Sequence, residues 1–270
     1  MMISEIKKVL LAEKVKLRRK RTTWFVPSAV AAMSLLIFMA IGYAASRDWA
    51  GIPSGFYIAS STSGWMINVT GLLAMIITCF QISGEFALGT VKPAWVRGLS
   101  RHGWLSGKIV SAAMAVTVLF LIIIAISLVS AGAKYGLTDL KEKDFVVHTS
   151  AALWKGYLIS AGLTLFSLWA VVTVTSMLAA HFNRPGSAIA VVVLVAVALT
   201  VLAVFKPARP FLLTSAISMP FEQMTAMSKG LPLPLEWGDL VRSTIACAGS
   251  WLAVSCAVGH AIIARKEITF

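Results

Sequence analysis

Six stretches of this chain run for about 18 residues or more without one Asp, Glu, Lys or Arg: 22–46, 49–84, 109–133, 156–183, 185–205 and 243–264. A helix of about 20 apolar residues crosses the hydrocarbon core of a bilayer. Inside lipid every backbone polar group needs an internal partner, so only helices and closed barrels span it. The alternation that barrel strands require is absent. The composition agrees: 58% of residues are hydrophobic and 13% charged, about half the charge of a soluble domain. A soluble globular fold and a disordered chain are both excluded as expectations. The spans are placed at about 24–45, 64–84, 108–132, 155–180, 186–205 and 243–264. In the second, Gly51-Ile52-Pro53-Ser54-Gly55 and Ser60-Ser61-Thr62-Ser63-Gly64 are read as breaks. The expected fold class is an all-α membrane protein of six transmembrane helices, a single domain over 1–270.

Orientation comes from the cations. With the N-terminus inside, fifteen of the 24 Lys and Arg lie in 1–23, 85–108, the turn at Arg184 and 265–270; nine lie in the longer outer segments. The bias predicts both termini in the cytoplasm. Over 3–20, Ile3, Ile6, Val9, Leu10 and Leu17 share one side of a helical wheel, and Lys7, Lys8, Lys14, Lys16, Arg18 and Arg19 fill much of the rest. This predicts a basic amphipathic helix in the membrane interface on anionic lipid. The net charge of +13 is thereby read as a lipid-facing charge; no recognition fold for nucleic acid follows. A cleaved signal peptide fits poorly, because the apolar run after the basic segment is too long.

Chemistry is sparse. No P-loop, H-E-x-x-H, C-x-x-C or G-x-S-x-G occurs, so no catalytic residue, resident cofactor or metal is expected. Cys79, Cys247 and Cys256 sit singly in apolar runs, which indicates neither a disulfide framework nor a zinc site. No acidic residue lies in mid-span, which disfavours a proton- or sodium-driven carrier. His260, near the end of the last span, is read as a snorkelling or end-capping residue; paired with Ser255 or Ser250 it would be the core of an intramembrane enzyme. Ser160, Ala161 and Gly162 are read as small residues of helix packing. Asn68 and Thr70 are polar candidates for a translocation path, with bonding inside the helix as the plainer use.

The segment after the second span is the informative one. Glu85 leaves the membrane, Phe86-Ala87-Leu88 continue the turn, and Gly89 stops it. Pro93 suits the first turn of a second short helix, with Trp95 and Leu99 on one side. Glu85-Phe86-x-x-Gly89-Thr90, then Ser100-Arg101 and Lys108 entering the third span, resembles the permease subunits of type-2 ABC exporters. The order of elements is similar: an amphipathic N-terminal helix, a short turn at 181–186, a long outer segment over 206–242, and a basic-basic-acidic-Ile ending at Arg265-Lys266-Glu267-Ile268. Pro93 and Trp95 depart from the pattern.

That resemblance implies a half-transporter in the bacterial plasma (inner) membrane. A second permease subunit would complete the pore, as a homo- or heterodimer. A separate ABC ATP-binding subunit would hold ATP and Mg and supply the energy. A coupling helix within 85–101 would dock on it through Glu85, Phe86, Gly89, Thr90, Trp95, Arg97 and Arg101. The cargo would be amphipathic: a drug, a peptide antibiotic or a lipid. The alternative is a passive channel or a scaffold-type multi-pass protein. The outer segment contains the charge-free run 210–221, too short to span but suited to a re-entrant or interfacial piece. Two short helices over 211–228 are expected on the outer ends of the spans, either gating release through Phe211, Leu212, Met224 and Met227 or forming a static lid that only shields helix ends.

Overall fold

The computed structural model describes residues 2–19, 22–48, 54–96, 98–142, 145–205, 207–233 and 235–266. Nine helices follow one another among them: α1 (Met2–Arg19), α2 (Thr22–Asp48), α3 (Gly55–Ala87), α4 (Val91–Val96), α5 (Arg101–Tyr135), α6 (Ser150–Ala179), α7 (Pro185–Leu202), α8 (Leu213–Ser228) and α9 (Trp237–Arg265). Six of them, α2, α3, α5, α6, α7 and α9, are long and apolar enough to cross a membrane. The protein is an all-α, multi-pass membrane protein. Among the described residues the one β element is a hairpin, β1 (Leu140–Glu142) with β2 (Phe145–His148), which the sequence reading did not anticipate.

Helices persist here because the polar side chains in them bond to their own backbone. Thr62, Thr70, Thr78 and Ser176 each donate to the carbonyl four residues back, at 2.7–2.9 Å, so none leaves an unpaired hydroxyl in an apolar setting. This corrects the second span, which begins at Gly55 rather than near 64. The stretch 60–64 does not break it: Ser60 and Thr62 donate to Tyr57 and Ile58, and Ser63 pairs with the Tyr157 hydroxyl at 2.8 Å. Residues 51–53 lie outside the described residues.

Helices α3 and α6 form the centre, with α5, α8 and α9 packed around them. The most apolar window of α6 is 61% buried, that of α7 only 11%. A central cluster joins Phe56, Tyr157, Phe221 and Met224. A second, built on Ile82, Val91, Trp104, Leu105 and Ile263, lies where the chain ends converge.

The outer segment differs from expectation. One helix, α8, runs through 213–228 after a 3₁₀ turn at Arg209–Phe211, not two short helices. It lies antiparallel to the first half of α6, beside Gly156–Ser167, with Pro220 inside it. Proline has no N–H for the carbonyl of Ala216. The Ser167 hydroxyl fills that place at 3.0 Å, shared with Leu163, while Thr164 and Ser160 reach the carbonyls of Ile217 (3.3 Å) and Pro220 (2.8 Å). A hydroxyl ladder on α6 thus stands in for the bond the proline removes. Of the small triplet, Ser160 works in this ladder, whereas Gly162 is exposed and approaches no other helix.

Candidate functional site

The end of the bundle that gathers α1, the α3–α5 connection, the α6–α7 turn and the end of α9 is built around a buried cation. Lys108, in the second turn of α5, is 2% exposed, and its Nζ lies 2.6 Å from Glu13 of α1 and 2.6 Å from Glu85 of α3. Lys16 of α1 binds the same two carboxylates, Glu13 at 3.0 Å and Glu85 by a short contact. Trp104 donates its indole N–H to the other Glu85 oxygen at 3.1 Å. Burial works against the Lys16 ammonium, yet its bonds to Glu85 and Glu13 hold its pKa above the ordinary lysine value. Two carboxylates and two ammoniums balance in one network, which is how a charge this deep is tolerated.

Helix α1 reaches that network through an acidic stripe, Glu5, Val9 and Glu13, spaced four apart and all buried. Glu5 accepts from the Ser100 hydroxyl, at the N-cap of α5. Val9 fits against Gly107, where a Cβ would stand 2.6 Å from it; at Gly103 a Cβ would stand 2.1 Å from a Glu5 oxygen. The two glycines let α1 lie close on α5. Of the apolar side read from sequence, Val9 is buried and Ile6 and Leu10 are half-buried, while Leu11 and Val15, off that side, are exposed; the bundle-facing side carries Glu5 and Glu13 as well. The side chains of Ile3 and Leu17 and residue Lys20 lie outside the described residues.

The connection from α3 to α5 is two helix ends of the same design. After Leu88, Gly89 takes φ +65°; its N–H bonds to Phe86 and that of Thr90 to Glu85, both at 3.1 Å. After α4, Gly98 has φ +86°, its N–H bonds to Trp95 at 3.0 Å and that of Leu99 to Ala94 at 3.3 Å. These are Schellman turns, and the αL position is the reason for glycine at each. The Glu-Phe-x-x-Gly-Thr pattern therefore also carries a local meaning: it closes α3. Between the turns, Val91 and Trp95 face inward, and Phe86, Trp95 and Trp104 pack edge to face at 5.4–6.4 Å. Leu88 and Val96 point outward, 77% and 78% exposed.

Two cations tie helix ends to this cluster. Arg101 donates to the carbonyls of Ala264 (2.8 Å) and Lys266 (3.0 Å), closing the end of α9, and its guanidinium lies over Trp95. Lys266 donates to Ala180 at 2.6 Å, closing α6, with its ammonium 3.9 Å from the Phe86 ring centroid. Cations at helix C-termini are favoured by the dipole. Burial pulls the Lys266 ammonium down to about 8.

Of the residues singled out from sequence, the structure brings together Glu85, Phe86, Trp95 and Arg101; Gly89 and Thr90 shape the turn. Arg97, Glu267 and Ile268 lie outside the described residues. Asn68 and Thr70 are not neighbours in function: Asn68 is exposed, whereas Thr70 is buried and bonds inside its own helix at 2.9 Å. Phe211 is exposed and its carbonyl accepts from Trp251, while Leu212, Met224 and Met227 are buried, the two sulfurs lying against Gly156. The serine–histidine pairing is not assembled: Ser255 bonds to Trp251 and Thr173, and Ser250 to Cys247. His260 instead meets His102 and Ser106. Glu5 and Glu13 were missed. Their signal was present as two acids four residues either side of Val9 in an otherwise basic segment.

Residues 29–269 match the model of a family described as protein of unknown function (DUF2705), and the chain belongs to that family. The matched span includes Glu85 and Lys108 and leaves α1 outside it. No curated protein matches the chain.

Proposed function

We propose that this chain is the membrane permease subunit of an ATP-driven exporter, with the α3–α5 connection as its coupling element. On this reading the end that carries both termini faces the cytoplasm, and α4 docks on a separate ATP-binding subunit that holds ATP and Mg. A second permease subunit pairs with it, and the cargo is an amphipathic drug, peptide or lipid. The observation that carries the reading is the mounting of α4. A six-residue helix has no independent stability, yet two Schellman turns, an aromatic cluster and the Glu85–Lys108 pair fix it rigidly between two spans. A rigid knob with Leu88 and Val96 on its outer side transmits force in both directions and suits a groove on a partner. Helix α1 packs on α5 and moves with it.

The test uses the exposed positions, whose replacement leaves the buried network intact. Photo-cross-linkers at 88 and 96 in the native membrane are expected to capture a protein bearing a P-loop. Leu88→Glu with Val96→Glu is expected to abolish that association while insertion and yield stay unchanged. Association of a P-loop ATPase unaffected by both replacements overturns α4 as the docking element; no P-loop protein captured at either site overturns the exporter reading and leaves the channel or scaffold class.

A further inference from the structure

We propose that His102 and His260 form a two-histidine site for a divalent transition-metal ion, with Zn²⁺ as its reference ligand, that ties α5 to α9. Their Nδ1 atoms stand 3.2 Å apart, and the rings are tilted at 49° with centroids 5.2 Å apart, so they converge edgewise instead of stacking. Two imidazole nitrogens on one tetrahedral zinc, each at about 2.0–2.1 Å, are separated by about 3.4 Å. The pair is already spaced as two corners of such a site. Its two ligands come from different spans, one at the start of α5 and one in the last two turns of α9.

The neighbour of the pair sets the protonation that a metal needs. Ser106, four residues after His102 on α5, faces the same way, and its Oγ lies 3.3 Å from His260 Nε2. With the Nε2 proton donated to Ser106, His260 Nδ1 keeps its lone pair for a ligand. A hydrogen-bond partner on the remote nitrogen is the usual orienting device of metal-bound histidine. Facing nitrogens are satisfied without metal only when one of them carries a proton; the ion takes the place of that proton. His102 is exposed and His260 half-buried, so water can fill the remaining corners. Among the described residues no third His, Cys, Asp or Glu completes a group, so the protein supplies two of the ligands. Arg101, the adjoining cation, is turned away onto the terminal carbonyls of α9. Imidazole donors favour zinc, copper or nickel over magnesium and calcium.

The experiment is calorimetric titration of the full-length protein in detergent micelles with ZnCl₂, in a non-coordinating buffer at neutral pH. One site is expected in the wild type. His102→Gln and His260→Gln are each expected to weaken it about tenfold or more, and Ser106→Ala by about tenfold; Zn²⁺ is expected to raise the Tm of the wild type and not of His102→Gln. His102 is exposed, so His102→Gln decides the matter even if His260→Gln folds poorly. No heat of binding up to millimolar Zn²⁺, the same site in His102→Gln, or displacement of Zn²⁺ by an equal concentration of Mg²⁺ overturns the proposal.

Discussion

An ammonium as enclosed as that of Lys108 needs carboxylates beside it, and here it has two. The four charges divide into two pairs that each close by themselves: Glu13 with Lys16 on α1, and Glu85 with Lys108 in the bundle. Loss of Glu13 therefore leaves Lys108 neutralised, whereas loss of Lys108 leaves Glu85 and Glu13 to share one half-exposed lysine. Breaking a buried pair from one side costs about 3–5 kcal/mol, and in a chain of this size about 2–4 °C in Tm follows each kcal/mol. Lys108→Met is expected to lower the Tm in detergent on the order of 10 °C, and Glu13→Gln by a small fraction of that. Adding Glu85→Gln to Lys108→Met is expected to recover much of the loss, since no unpaired charge then remains. Equal losses for Lys108→Met and Glu13→Gln would show that the carboxylates do not act through the lysine. Glu85 and Lys108 were legible from sequence as members of one loop pattern; their contact was not, because it depends on the chain reversing through α4. Nor was the role of α1. A helical wheel ranks faces by hydropathy, and the face that docks carries two glutamates.

The same limit appears at the level of whole elements. Five prolines over 206–242 read as dividers, yet α8 passes through Pro220 unbroken. What decides between a break and a tolerated proline is whether the freed carbonyl finds a donor, and that donor sits on another helix. Ser160, Thr164 and Ser167 recur on one face of α6, a pattern visible in sequence whose partner was not. The hydroxyl-rich stretch 60–64 was misjudged for a related reason: in an apolar span Ser and Thr bond back to the helix and continue it. The account of α8 predicts a non-additive double mutant. Ser167→Ala leaves the carbonyl of Ala216 without a donor, at about 1–3 kcal/mol. In the presence of Pro220→Ala the helix supplies its own N–H, and Ser167→Ala is expected to cost much less. Unfolding of the four proteins of the cycle, by Tm or by denaturant, measures the coupling; costs for Ser167→Ala that agree within error in both backgrounds would mean that the ladder does not support the proline.

For the molecule as a whole, the charge-free runs located all six candidate spans, because lipid leaves a helix no choice but to be apolar over its full crossing. Extents were less legible than existence: α5 begins at Arg101, about two turns before its charge-free run, and α3 carries on through Glu85 to Ala87, since Glu85, Arg101 and Lys108 are accommodated by partners and not by exposure to water. The hairpin at 140–148 had no such signal, being short and exposed. An even number of crossings puts α1 and the end of α9 at one end of the bundle, where Arg101 joins α5 to the carbonyls of α9 and Glu5 and Glu13 bind α1 to α5. The cations predict which end faces the cytoplasm: fifteen of the 24 Lys and Arg fall in the sequence segments assigned to this end, and the cytoplasmic side is expected to retain them during insertion. The prediction is checked by impermeant thiol labelling of intact cells. The native thiols Cys79, Cys247 and Cys256 are free and are first replaced by serine or alanine. Single cysteines are then placed at exposed positions: Lys141 in the hairpin and Leu231 after α8 at one end, Leu88 and Arg184 at the other. Labelling from outside is expected at 141 and 231, and at 88 and 184 only after the membrane is opened. The reverse pattern would invert the molecule and put α4 out of reach of any cytoplasmic partner; labelling at one site of each pair would mean that one of the six helices does not cross.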